Sequence, residues 1–171
     1  MRVAILGNSG SGKSTLARWM AARYRAPMLD LDTIAWEPGQ IAVARPPGAA
    51  EADARNFCAG HEHWIVEGCY GSLIATALEF SPLLLFLNPG EAQCLANCRQ
   101  RPWEPHKYAT RQEQDAHLAF LLSWVSEYYR REGDLSLAEH RRCFESYAGR
   151  KAEVIHALQL DPPTDEVLSW Q

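Results

Sequence analysis

Of the 17 basic residues in this 171-residue chain only three are lysine, Lys13, Lys107 and Lys151, and acidic residues outnumber basic ones to leave a formal net charge of −4. A chain so short of positive charge lacks the basic face on which non-specific nucleic-acid binding depends, so no nucleic-acid partner is expected. Arginine's flat fork still suits a local phosphate pocket. Long apolar runs are missing as well. The first apolar stretch, Val3 to Leu6, runs straight into glycine, far short of the ~20 residues that a membrane span needs. It is also too short for the apolar part of a signal peptide, so no membrane contact and a cytoplasmic location are expected. The five cysteines (Cys58, Cys69, Cys94, Cys98 and Cys143) are odd in number and include no C-x-x-C pair. That spacing supports neither a disulfide framework nor a zinc site. Cys94 and Cys98, one helical turn apart in an apolar setting, read as buried thiols. His61-Glu62-His63 brings no third ligand and reads as a solvated turn before a strand.

Repeats, low-complexity tracts and linkers are absent too, so residues 1–171 are read as one domain with a single core. Short apolar runs alternate with helical periodicity, which predicts an α/β fold, a parallel sheet with helices on both faces. Strands are expected at Arg2–Leu6, Pro27–Leu31, Trp64–Glu67 and Leu83–Leu87, the last hydrophobic throughout as a central strand should be. Helices are expected from Gly12 to about Tyr24, from Pro89 to about Arg101, from about Gln112 to Arg131 and from Ser136 to about Tyr147. Pro102–Arg111 reads as a loop, and Thr164–Trp170 as a short helix capped by Thr164. Periodicity leaves Glu153–Leu158 open between strand and helix.

The chemistry concentrates in Gly7-Asn8-Ser9-Gly10-Ser11-Gly12-Lys13-Ser14. Small residues let this backbone curl until successive N–H groups point at phosphate oxygens, and the following helix adds its dipole. Lys13 can reach the outer phosphates, and the Ser14 hydroxyl can coordinate magnesium. Preceded by a strand and followed by the helix that opens Ser14-Thr15-Leu16, the pattern has the context it requires. Residues Gly7 to Thr15 are therefore expected to bind a nucleoside triphosphate, ATP with Mg2+.

Carboxylates stand where this loop would need them. Asp30 and Asp32 close the second strand, and residues two apart point the same way. Both can face the crevice beyond the strand ends, where open parallel sheets bind ligands. One can take a proton from an acceptor hydroxyl or hold water on magnesium; the other reading is a helix cap and a solvated charge. Glu67 ends the third strand just before Gly68, whose missing side chain would let a ligand approach. Asn88 ends the fourth strand, where many phosphate-loop enzymes place a magnesium-holding aspartate. Arg45, Arg99, Arg101 and Arg111 are candidates for a phosphate clamp; Arg101 and Arg111 flank the proline-containing loop, a short lid at about 102–112.

Together these residues resemble the small P-loop kinases of the adenylate-kinase and shikimate-kinase type, and more narrowly the FlaR-type DNA topology modulation protein group. The likeness rests on Ile5–Arg18, on Leu31-Asp32-Thr33-Ile34-Ala35-Trp36-Glu37-Pro38-Gly39, and on Trp64-Ile65-Val66-Glu67-Gly68-Cys69-Tyr70. It covers the chain to about Arg101 and thins beyond. The resemblance implies a P-loop NTPase three-layer fold with five parallel strands in order 2-3-1-4-5, which favours a strand at Glu153–Leu158. It also implies an acceptor pocket lined by Asp32, Trp36 and Arg45, with Arg101 in the lid. The group usually has Asp-Gly-Asn-Tyr where Glu67–Tyr70 stand, aspartate at Asn88 and arginine at Asn97. The expected activity is a kinase: transfer of the γ-phosphoryl of ATP to an unidentified small molecule, with Lys13, Asp32, Glu67 and Arg101 as catalytic residues. The alternative is an ATP-binding regulatory protein with weak or no turnover, motivated by Asn88, Asn97 and Cys69. Neither acceptor nor oligomeric state is legible.

Overall fold

The computed structural model describes residues 1–37, 43–46, 48–103 and 109–170. Five strands, β1 (Arg2–Gly7), β2 (Met28–Asp30), β3 (Trp64–Gly68), β4 (Leu83–Leu87) and β5 (Lys151–Val154), form one sheet in the order β2-β3-β1-β4-β5. Every pairing is parallel. This is the α/β P-loop NTPase architecture, with β1 at the centre.

Period-two alternation of wholly apolar strands explains the layers. Ala4, Leu6, Trp64, Val66, Leu84 and Phe86 face one side and pack on α3 (Ala49–Gly60), α4 (Gly71–Leu78) and α8 (Leu137–Ser146). Val3, Ile5, Ile65, Leu85 and Leu87 face the other, against α1 (Lys13–Tyr24) and α9 (Asp165–Leu168). Burying a side chain such as Phe86 contributes about 2–3 kcal/mol. A smaller cluster of Cys94, Cys98 and Val125 joins α5 (Glu91–Arg99) to α7 (Leu118–Glu127). All five thiols are free, and four of them are buried. No described helix is long and apolar enough to cross a membrane.

Three segments differ from the sequence expectation. The second strand stops at Asp30, because Asp32 turns into the short helix α2 (Asp32–Ala35) with its amide on Asp30 Oδ1 at 2.9 Å. The expected helix from Gln112 to Arg131 is two helices, α6 (Arg111–Ala116) and α7, broken at His117. There the amide is shared between the Glu113 and Gln114 carbonyls and the ring also bonds the Glu113 carbonyl. The open segment Glu153–Leu158 supplies a strand only to Val154; β5 starts earlier, at Lys151, and Ile155 already stands exposed. Helices α3 and α4 lie in segments where periodicity alone predicts nothing.

Candidate active site

The strand order places the β1–α1 loop at the middle of the sheet's C-terminal edge. The ends of β2 and β3 lie to one side of it, and the ends of β4 and β5 to the other. A cleft of about 630 Å³ opens along this edge. Ser9 to Leu16 line its centre, Asp30, Asp32, Glu67, Gly68 and Cys69 its β2–β3 side, and Gln100–Trp103 with Ala157, Leu158 and Leu160 the remainder.

The loop is braced from beneath. Gly10 has φ 77°, and a Cβ there would stand 2.4 Å from the Cys94 carbonyl oxygen and 2.7 Å from Cys98 Sγ. Gly7 is excluded from carrying a side chain by contact alone, with the Leu87 carbonyl oxygen 2.4 Å from the Cβ position. Asn8 donates its side-chain amide to the Val125 carbonyl (3.0 Å) and accepts the Ser9 N–H (2.8 Å). Asn97 donates to the Gly10 carbonyl at 2.8 Å, and its own carbonyl accepts from Gln93. Asn97 is thus part of the loop's foundation, a role the sequence pattern does not reveal. Gly7 and Asn8 form the loop's base; Ser9 through Thr15 line the cleft.

Lys13 is the first residue of α1. The residue is 8% exposed, and its ammonium donates to the Asn8 carbonyl at 2.9 Å. Cation and helix N-terminus together make this part of the cleft an anion site.

Glu67 pairs in register with Asp30 on one side and Ile5 on the other. It is 2% exposed, and its Oε1 meets no hydrogen-bond partner among the described residues. Burial is the main force holding its carboxyl above the usual range; Asp30 and Asp32 add to the rise, while Lys13 and the Ser14 hydroxyl oppose it. An orphaned buried oxygen beside a serine hydroxyl is a hard-oxygen donor set suited to magnesium. No group of three or more His, Cys, Asp or Glu among the described residues forms a metal cage. Magnesium in phosphate sites needs none, since it keeps waters and takes phosphate oxygens.

Asp30 and Asp32 both line the cleft, through the tight turn that begins α2 and not through strand alternation. Asp32 Oδ1 accepts from the Tyr70 hydroxyl at 2.8 Å, and that hydroxyl accepts from Trp36 Nε1 at 2.8 Å. Trp36 and Arg45, expected in the acceptor wall, do not line the cleft. Trp36 packs edge-on against Tyr70, and Arg45 is drawn to Asp53 (2.6 Å) and the Ile34 carbonyl (3.0 Å). Arg101 lines the cleft with Pro102 and Trp103; of the expected lid at 102–112, residues 104–108 lie outside the described residues.

Burial pushes the Cys69 thiol up to about 12, which favours the protonated form. Its carbonyl accepts from His140 Nε2 at 2.8 Å, and His140 Nδ1 meets the Tyr128 hydroxyl at 2.8 Å. Asn88 points away from the loop, donating to Glu153, which is paired bidentately with Arg141. Sequence reasoning missed Tyr70, Asn97 and His140 as site-shaping groups. Only Tyr70 carried a signal, an aromatic hydroxyl just past the end of a buried strand.

No family model and no curated protein matches the chain. Solved structures do. A gluconokinase from Sinorhizobium meliloti 1021 superposes with a TM-score of 0.59 at 17% identity, covering 99% of this chain and 90% of that one. A shikimate kinase from Acinetobacter baumannii in complex with shikimate gives 0.51 at 14% identity, covering 98% and 89%. A deoxyadenosine kinase from M.mycoides with bound dATP gives 0.51 at 12%, covering 99% and 98%. At these identities the likeness establishes the fold, a kinase-like P-loop fold.

Proposed function

We propose that the protein is an ATP-dependent phosphotransferase that moves the γ-phosphoryl group to a hydroxyl or phosphate of a small-molecule acceptor, after the manner of nucleoside-monophosphate or shikimate-type kinases. One observation carries the reading. The buried Lys13 ammonium and the N-terminus of α1 open into the same cleft as the carboxylates of Asp32 and Glu67. An anion site and a proton acceptor sharing one cavity of ordinary ligand-binding size suit phosphoryl transfer. The neighbours' names as gluconokinase, shikimate kinase and deoxyadenosine kinase support the class and leave the acceptor open.

In this reading the amides of Ser9 to Thr15, above a base formed by Gly7 and Asn8, hold the phosphates, and Lys13 offsets their charge during transfer. Ser14 would hold magnesium and Glu67 would support its waters, and the ion would supply charge neutralisation on the phosphate oxygens. The acceptor oxygen attacks the γ-phosphorus, its proton passes to the Asp32 carboxylate, and the bond to the bridging oxygen breaks to leave ADP. Arg101 closes over the transferring group from a short lid at 102–112. Arg45 serves the acceptor side indirectly, by holding the end of α2. The chain acts as one domain in the cytoplasm, with nucleotide and acceptor as its partners. Membership of the FlaR-type group remains part of this proposal.

The alternative, a nucleotide-binding regulator with little turnover, drew its motive from Asn88, Asn97 and Cys69. Asn97 donates to the Gly10 carbonyl and Asn88 to Glu153; these structural contacts support the kinase reading over the regulator. The test is direct. Lys13→Ala should lower the affinity for Mg·ATP at least tenfold by calorimetry, and Asp32→Asn should keep that affinity while abolishing ADP formation. Unchanged binding and turnover in Lys13→Ala would refute the assignment. A thermal-shift panel of nucleoside monophosphates and polyols, with magnesium and a non-hydrolysable ATP analogue, identifies the acceptor class by stabilisation seen only in the ternary mixture.

A further inference from the structure

The geometry points to Tyr70 as a positioning residue that fixes the Asp32 carboxylate, with Trp36 holding the Tyr70 hydroxyl from its other side. This rests on the proposed role of Asp32 in phosphoryl transfer. An indole N–H can only donate. The Trp36 Nε1 contact at 2.8 Å therefore commits the Tyr70 oxygen as an acceptor, and the single hydroxyl proton is left for Asp32 Oδ1 at 2.8 Å. An ionised carboxylate can only accept, so Asp32 and the indole agree: the Tyr70 hydroxyl accepts from Trp36 and donates to Asp32. These hydrogen bonds also join two elements, α2 and α4. Trp36 follows α2, Asp32 begins α2, and Tyr70 is the residue before α4.

Tyr70 is itself held rigidly. It is 8% exposed, packs edge-on to the Trp36 ring at 6.2 Å, and follows Cys69, whose carbonyl is pinned by His140. Burial first, and the Asp32 charge second, keep its phenol protonated far above its ordinary range. Its role is thus that of a fixed donor, not of an acid or base in the reaction. Asp32 meanwhile takes a second constraint from its own amide, bonded to Asp30 Oδ1 at 2.9 Å. A carboxylate anchored through one oxygen and its backbone presents a defined direction to the cleft, which is what a proton acceptor for an incoming hydroxyl requires. This gives Trp36 a place in the chemistry although it does not line the cleft.

The experiment uses Tyr70→Phe, Trp36→Phe and Asp32→Asn in the full chain. The first readout is the indole N–H resonance of Trp36, identified among the six tryptophans by its loss in Trp36→Phe. It should move in Tyr70→Phe, where the acceptor oxygen is gone. It should also move in Asp32→Asn, because the relay runs through Tyr70. An indole resonance unmoved in Asp32→Asn overturns the relay. The second readout is hydrolysis of Mg·ATP with water as acceptor. Tyr70→Phe should lower kcat about tenfold, less than the about 100-fold or more expected for losing a general base, with KM for ATP within about twofold. A wild-type kcat in Tyr70→Phe, with Asp32→Asn impaired, overturns the positioning role. Equal rates in Asp32→Asn and the wild type would instead refute the catalytic reading of Asp32, an outcome separate from the resonance result.

Discussion

His140 makes acid stability a sharp test of the packing behind the site. It is fully buried between α7 and the segment after β3. A backbone carbonyl can only accept, so Nε2 carries the ring proton toward Cys69 and Nδ1 accepts from Tyr128. The ring is neutral, and burial is the main reason its pKa falls from 6.5 to about 4; Lys13 and Arg131 also lower it, while the Cys69 hydrogen bond and Glu139 raise it. In the unfolded chain the imidazole takes a proton near its ordinary value, so between these limits the unfolded state binds more protons. The resulting stability is complete above about pH 6.5 and is lost as pH falls toward 4. At about 1.4 kcal/mol per pH unit, the loss is about 2 kcal/mol by pH 5 and about 3 kcal/mol by pH 4. His140→Gln keeps an amide N–H for the Cys69 carbonyl and an oxygen for Tyr128 but does not titrate. Urea unfolding of both proteins from pH 7 to 4, read as the difference in their free energies, cancels Glu67 and Asp134, whose raised carboxyls act in the opposite sense. The wild type should lose about 3 kcal/mol relative to the variant. A difference that stays flat across that range would refute a buried neutral imidazole.

The remaining predictions concern the loop and its brace. Gly10→Ala combines a left-handed backbone with a Cβ 2.4 Å from a helix carbonyl that cannot rotate away. It should cost at least about 1–2 kcal/mol from conformation alone and lower Mg·ATP affinity about tenfold or more by calorimetry. A variant that binds as the wild type does would show that the loop does not rest on α5. Asn97→Ala removes the donor to the Gly10 carbonyl and should cost about 1 kcal/mol in unfolding free energy, with a few-fold weaker nucleotide. Asn97→Asp, which turns an acceptor toward that carbonyl, should be worse than alanine in both assays; the reverse order would remove the brace from the account.

The glycine-rich loop, the first four strands and the carboxylates beyond β2 and β3 were legible because each is written in local spacing, whereas the five-strand order followed only from the family resemblance. Glycines at a fixed interval before Lys13-Ser14 encode a turn, and a wholly apolar Leu83–Leu87 encodes a central strand. What lies around them depends on residues far apart in the chain, whose meeting no local period records. Asn97 stands where the family resemblance implies arginine, yet it reaches the Gly10 carbonyl 87 positions away. Asn88 occupies an expected metal position, yet β5 brings Glu153 to its side. Arg45 had the charge for a phosphate clamp and is taken by Asp53. Trp36, expected in the acceptor wall, donates to Tyr70, 34 positions on. Sequence alone determined a glycine-rich loop between strand and helix with carboxylates nearby, since backbone conformation and strand burial follow from neighbouring residues. Which side chain braces the loop and which anchors Asp32 was decided only by tertiary structure, because a hydrogen bond depends on where two groups meet in space, and the fold sets that meeting.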